Sequence, residues 1–128
     1  DNRQVDPPAP RAPRNLSEAI FPVVTKSMSV GRVGPDEGNI DAPVILRPMF
    51  IIGDDPDSLR WLTENRELLA ERKAIGMVVN VATAERFRDM QRIAGNRIAL
   101  NPVSGDGMAE SLKIRHYPFY IDSNGVLR

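Results

Sequence analysis

Three aspartates stand close together in Gly53-Asp-Asp-Pro-Asp-Ser58, and the single histidine, His116, lies in Arg115-His-Tyr-Pro118. Carboxylates beside an imidazole are a donor set for a hard divalent ion, or for general acid–base work. Asp54, Asp55 and Asp57 with His116 would make such a site, and a metal-assisted hydrolase is the enzymatic reading of the Asp54/Asp55 region. The same residues also have a plain structural use. Asp55 suits a helix N-cap and Pro56 the first helical position, and acids in a first turn are favoured by the helix dipole without any ligand. The aspartates lack the spacing of a calcium loop. One histidine has no second imidazole with which to share zinc, and no serine or cysteine motif surrounds it. Three carboxylates would repel a phosphate at this helix start. We therefore expect no metal, no cofactor and no catalytic residue, and a helix that begins at Asp55.

The chain has 128 residues, with 17 Lys plus Arg against 17 Asp plus Glu. That length fits one domain with a real core. Balanced charge gives no argument for nucleic acid or an anionic membrane as partner. There is no cysteine, which removes disulfide exchange, thiol nucleophiles and thiolate metal sites together. No apolar run approaches the length of a membrane span.

The elements that must position these residues follow from periodicity. Residues 1–14 carry Pro7, Pro8, Pro10 and Pro13 with Arg3, Arg11 and Arg14, and read as an extended, disordered tether. Residues 15–128 read as one domain, with an extension over 15–41 and a core over 42–128. Asn15-Leu-Ser-Glu-Ala-Ile-Phe21 predicts a short helix stopped by Pro22. Residues 25–41, with Gly31, Gly34, Pro35 and Gly38, predict a loop with a short edge strand near Met28-Ser-Val30. A loop of that length invites a search for function. Met49 to Ile52 predicts a buried central strand after Pro48. A helix should follow to about Lys73, burying Leu59, Leu62 and Leu69, with Gly76 as its stop. Met77-Val-Val-Asn-Val81 predicts a second buried strand. Thr83 should cap a second helix with Phe87, Met90 and Ala94 on one face, stopped by Gly95. Ile98-Ala-Leu100 is a third strand. Ser104 or Asp106 should cap a last helix carrying Met108, Ala109 and Leu112. Phe119-Tyr-Ile121 and Val126-Leu127 should form a hairpin across Asp122-Ser-Asn-Gly125. Alternating strands and helices predict an α/β layer structure with a mixed sheet.

The order of short helix, X-Pro step, strand and Asn-Gly turn resembles the C-terminal half of a thioredoxin-like domain. The resemblance implies a cis Tyr117–Pro118 bond, packed against the start of the Pro56 helix. It also implies helices on both faces of the sheet, and a Gly53-Asp-Asp55 loop where the redox motif would sit. Without cysteine such a domain is redox-inactive. Arg47-Pro-Met-Phe-Ile-Ile-Gly-Asp-Asp55, Ser58-Leu-Arg-Trp-Leu62, Gly76-Met-Val-Val-Asn-Val81, Asn101-Pro-Val-Ser-Gly-Asp106 and Leu112-Lys-Ile-Arg-His-Tyr-Pro118 together resemble a family of uncharacterised proteins of integrating conjugative elements. Those proteins are encoded among genes for mating-pair formation and typically begin with a secretory leader. The pattern is also similar to TrbC-like pilus-assembly proteins. The resemblance implies a periplasmic, non-enzymatic accessory of a type IV secretion system. Its partners would be other conjugative secretion and pilus-assembly proteins, with a homo-oligomer also open. It assigns no catalytic residue. The expected docking surface is Gly53, Asp54 and Asp55 together with Arg115, His116, Tyr117 and Pro118, at the strand ends where open α/β sheets bind ligands.

Overall fold

The computed structural model describes residues 19–40 and 47–127. The expected tether, most of the 15–21 helix and the 42–46 part of the core lie outside them. Among the described residues there are seven strands and three helices: β1 (Ser29–Val30), β2 (Met49–Gly53), α1 (Pro56–Glu71), β3 (Ile75–Asn80), α2 (Ala84–Ala94), β4 (Ala99–Pro102), α3 (Asp106–Leu112), β5 (His116–Tyr117), β6 (Phe119–Asp122) and β7 (Gly125–Leu127).

Five strands form one sheet in the order β4-β3-β2-β6-β7. β2, β3 and β4 run parallel, while β6 and β7 are antiparallel. β2 is central and its Phe50, Ile51 and Ile52 are wholly buried. Alternation along β2 divides the core in two. Phe50 and Ile52 face Leu62 and Leu69 of α1 and Phe87 and Met90 of α2. Ile51 faces Ala109 and Leu112 of α3, with Phe119 and Ile121. The expected α/β class, with a mixed sheet and helices on both faces, is therefore the one adopted. β1 and β5 form a separate two-stranded parallel ribbon.

Local signals place most helix starts. The Asp55 carboxylate accepts from Ser58 N at 2.9 Å, and Thr83 Oγ1 accepts from Arg86 N at 3.1 Å. Gly95 closes α2 with φ 83°. Three expectations need correction. Gly76 does not stop α1. That helix ends at Glu71, the chain turns through Lys73 at φ 56°, and Gly76 lies inside β3. A Cβ there would collide with the Phe50 ring and Leu100, so this glycine lets a central aromatic lie flat on its neighbour strand. Neither Ser104 nor Asp106 caps α3. Gly105 holds the cap position without a side-chain bond, and Asp106 is drawn off to the Ser27 hydroxyl and backbone amide. β4 runs on through Asn101 and Pro102 rather than stopping before them.

Candidate functional site

The two loops expected to converge do so. Tyr117–Pro118 is cis, as is Phe21–Pro22. A Cβ on Gly53 would lie 2.8 Å from Tyr117 Cε1 and 2.9 Å from Asp55 Oδ1. Only glycine lets the β2 terminus sit this close beneath the ring.

Convergence here makes an interior, not a surface. Tyr117 is only 4% exposed. Its oxygen accepts from Asn80 Nδ2 at 2.9 Å, and Asn80 Oδ1 accepts from Thr25 N at 2.8 Å. Burial pushes the Tyr117 hydroxyl up in pKa, and the charges of Asp55 and Asp54 add to that, against the bond from Asn80. Its backbone is also engaged, because the Tyr117 carbonyl accepts from Gly31 N at 3.0 Å. Gly53 is buried as well. Two of the seven expected surface residues, Gly53 and Tyr117, are therefore core. The sequence could not show that β1 lies along β5 and takes up the backbone of His116 and Tyr117.

The aspartates diverge instead of gathering. Asp54 Oδ2 accepts from Ala82 N at 3.0 Å and Arg86 Nε at 2.9 Å, which ties the end of β2 to the start of α2. Asp55 caps α1, and Asp57 pairs with Arg60 at 3.0 Å. Among the described residues no three His, Cys, Asp or Glu side chains assemble around a common point. Asp55 Oδ1 is buried with no hydrogen-bond partner among the described residues. It and the Tyr117 hydroxyl both lie close to the Gly53 Cβ position, at 2.9 and 3.1 Å.

Residues 1–126 match the family described as "Protein of unknown function (DUF2859)". The chain belongs to this family. No curated protein and no solved structure matches it.

In this DUF2859 protein His116 has a partner that the sequence did not reveal. Glu37, from the glycine-rich 25–41 loop, is 2% exposed. Its Oε2 lies 2.8 Å from His116 Nδ1 and accepts from Gly34 N at 3.0 Å, while Oε1 accepts from Arg115 N at 2.8 Å. Burial alone would raise its pKa. The two backbone donors and His116 outweigh burial and hold the carboxyl at about 2. Glu37 thus staples the loop to β5. A carboxylate–imidazole pair is a general-base arrangement, but here no hydroxyl hydrogen-bonds the imidazole among the described residues. The Arg115 side chain is exposed, and Pro118 is half-buried.

Beside Pro118 a groove of about 520 Å³ runs between the end of β1 and α1, lined by Gly31, Arg32, Val33, Trp61 and Pro118. Val30, next to it on β1, is 39% exposed, and among the described residues β1 pairs only with β5. Trp61 lies 5.8 Å from the Phe50 ring, centroid to centroid, so its position is fixed from beneath. Trp61 was not expected here, whereas the 25–41 loop was a place to look for function. Trp61 in the helix stripe is indistinguishable by spacing from a core residue.

Proposed function

We propose that this DUF2859 protein is a docking module of a conjugative type IV secretion system, placed in the periplasm and without bond chemistry of its own. The observation that carries it is the open groove beside Pro118, walled by Trp61 and bordered by a strand whose outer edge is unpaired among the described residues. An extended segment of another secretion or pilus-assembly component can add to that edge through its backbone and set a side chain against Trp61. The thioredoxin-like order around the cis proline supports the reading, since the groove adjoins that proline. So does the resemblance to conjugative-element proteins. The bonds that Asp54, Asp55 and Glu37 make to the backbone support a docking role over an enzymatic one.

The working surface is thus the outer side of Pro118 and β1, rather than Asp54 and Tyr117. The test is transfer frequency from a donor whose copy carries Val30→Asp with Arg32→Glu, both at exposed positions. Transfer should fall while the protein stays folded and at its normal level. Unchanged transfer, in a donor where deletion abolishes it, would move the docking surface elsewhere. No effect of deletion would sink the conjugative role itself.

A further inference from the structure

At the other end of the sheet, near the ends of α1 and α2, lies a second recess. Two adjoining hollows of about 200 and 370 Å³ share Ala70 and Arg97 and make one cleft. Its floor is small side chains, Ala70, Ala74, Ala94 and Ala99, and this keeps it hollow. Its rim carries Arg47, Arg66, Lys73 and Arg97, all exposed. Among the described residues a single acid lines it, Glu67, 3.7 Å from Arg97. Arg66 reaches across from α1 to the Ile93 carbonyl of α2 at 3.0 Å. The side chains of Arg47 and Lys73 make no ion pair among the described residues.

Cations near helix C-termini complement the dipole and need no ligand. That accounts for Lys73, just past the end of α1. It accounts likewise for Arg97, three residues past α2 and paired with Glu67, but not for Arg47, which precedes β2. Cations from separate elements converge on one hollow, in a chain whose charges otherwise balance 17 to 17. Such a cluster is complementary to a run of negative charge.

We propose that this cleft docks an acidic peptide segment of a partner protein, its carboxylates set against Arg47, Lys73 and Arg97. The N-terminal stretch of this chain is a poor occupant, because residues 1–14 carry Arg3, Arg11 and Arg14 against Asp1 and Asp6. Nucleic acid is disfavoured, since no aromatic side chain lines the cleft to stack a base. A lipid surface is disfavoured, since no large apolar side chain stands on the rim to enter it. The inference rests on the docking reading for its biological setting. It places a second contact away from the Pro118 groove, so the protein would bridge two components.

The test is titration of a hexaglutamate peptide into the whole chain at low salt, followed by amide chemical shifts and calorimetry. Saturable shifts are expected at Ala70, Ala74, Gly95 and Ala99, weakening as salt screens the charges. Arg47→Glu with Lys73→Glu should weaken binding about tenfold, the sum of two exposed ion pairs. The groove variant Val30→Asp/Arg32→Glu should bind hexaglutamate as the native chain does, which separates failure here from failure of the groove. The proposal is overturned by absence of saturable binding, by shifts confined to other regions, or by equal binding to the Arg47/Lys73 variant. Tighter binding to phosphatidylglycerol vesicles or to a single-stranded oligonucleotide, at matched charge, would also overturn it.

Discussion

The two faces of the sheet are held by different means. On one, α1 and α2 close over Phe50, Ile52, Val78 and Tyr120, and the contacts are almost wholly apolar. On the other, one seven-residue helix is too short to cover the sheet, and the 25–40 segment, with Met28, Val33 and Ile40, completes the cover. That segment is irregular, so its backbone groups need partners from elsewhere. Thr25 Oγ1 donates to the Val79 carbonyl at 2.6 Å and accepts from Gly105 N at 2.7 Å. Glu37 takes the amides of Gly34 and Arg115, and Asn80 joins Thr25 to Tyr117. The first face is a packing problem, solved by volume. The second is a satisfaction problem, solved by a few buried polar side chains, and both candidate loops belong to it.

That contrast can be broken most directly in the apolar face. Phe50→Ala removes a fully buried ring against Trp61 and Gly76 and should cost about 3–5 kcal/mol in urea unfolding. A loss under 1 kcal/mol would mean that this face is not close-packed. In the polar face the largest effect should come from Glu37→Gln. The amide keeps the shape but replaces a charged acceptor by a neutral one for two backbone donors and the imidazole, at a cost of about 1.5–3 kcal/mol. A Glu37→Gln protein as stable as the native chain would show that the loop is held by its apolar residues alone.

The pH dependence sharpens the same point. The Glu37 carboxyl titrates at about 2 when folded, against 4.5 for the ordinary group. Its contribution is therefore complete above about pH 4.5, and is lost as pH falls from there toward 2. Melting temperature should drop more steeply over that window in the native chain than in Glu37→Gln, and parallel curves would refute the assignment. Tyr117→Phe comes next, at about 1–3 kcal/mol, because it strips the Asn80 amide of its buried acceptor. A neutral result would mean that Asn80 does not depend on this acceptor. The smallest effect is expected from Asp55→Ala, about 0.5–2 kcal/mol for a lost N-cap, with no change in affinity for Mg²⁺ or Ca²⁺ by titration. An ion affinity that vanished with this substitution would restore the metal reading.

How much of this was legible follows the same division. Asp55, Thr83 and Gly95 were readable as helix ends because a helix end bonds within four residues: Asp55 and Thr83 accept from amides three residues on, and Gly95 N donates to the Gln91 carbonyl four residues back. The two central strands and the face carrying Phe87, Met90 and Ala94 were readable because burial imposes a period. Gly76 was misread because its meaning depends on Phe50, on a different strand. A partial signal did exist for Asn80, a polar residue closing an apolar strand, and for the long glycine-rich loop that supplies Glu37. Neither signal names a partner.

The thioredoxin-like resemblance implied the meeting of Gly53 with the Tyr117–Pro118 step; the sequence by itself determined the α/β class, the starts of α1 and α2 and the absence of thiol chemistry. These depend on residue type and on short-range period, which the chain carries in its own order. Only the tertiary structure decided that Tyr117 is interior, that β1 lies on β5, and that Glu37 reaches His116 across 79 positions. Only it left Trp61 bordering an open groove and gathered Arg47, Arg66, Lys73 and Arg97 around one cleft. Those are properties of which distant segments come to share a volume. The packing of the whole sheet sets that, because each buried amide must find an acceptor wherever the fold has placed one.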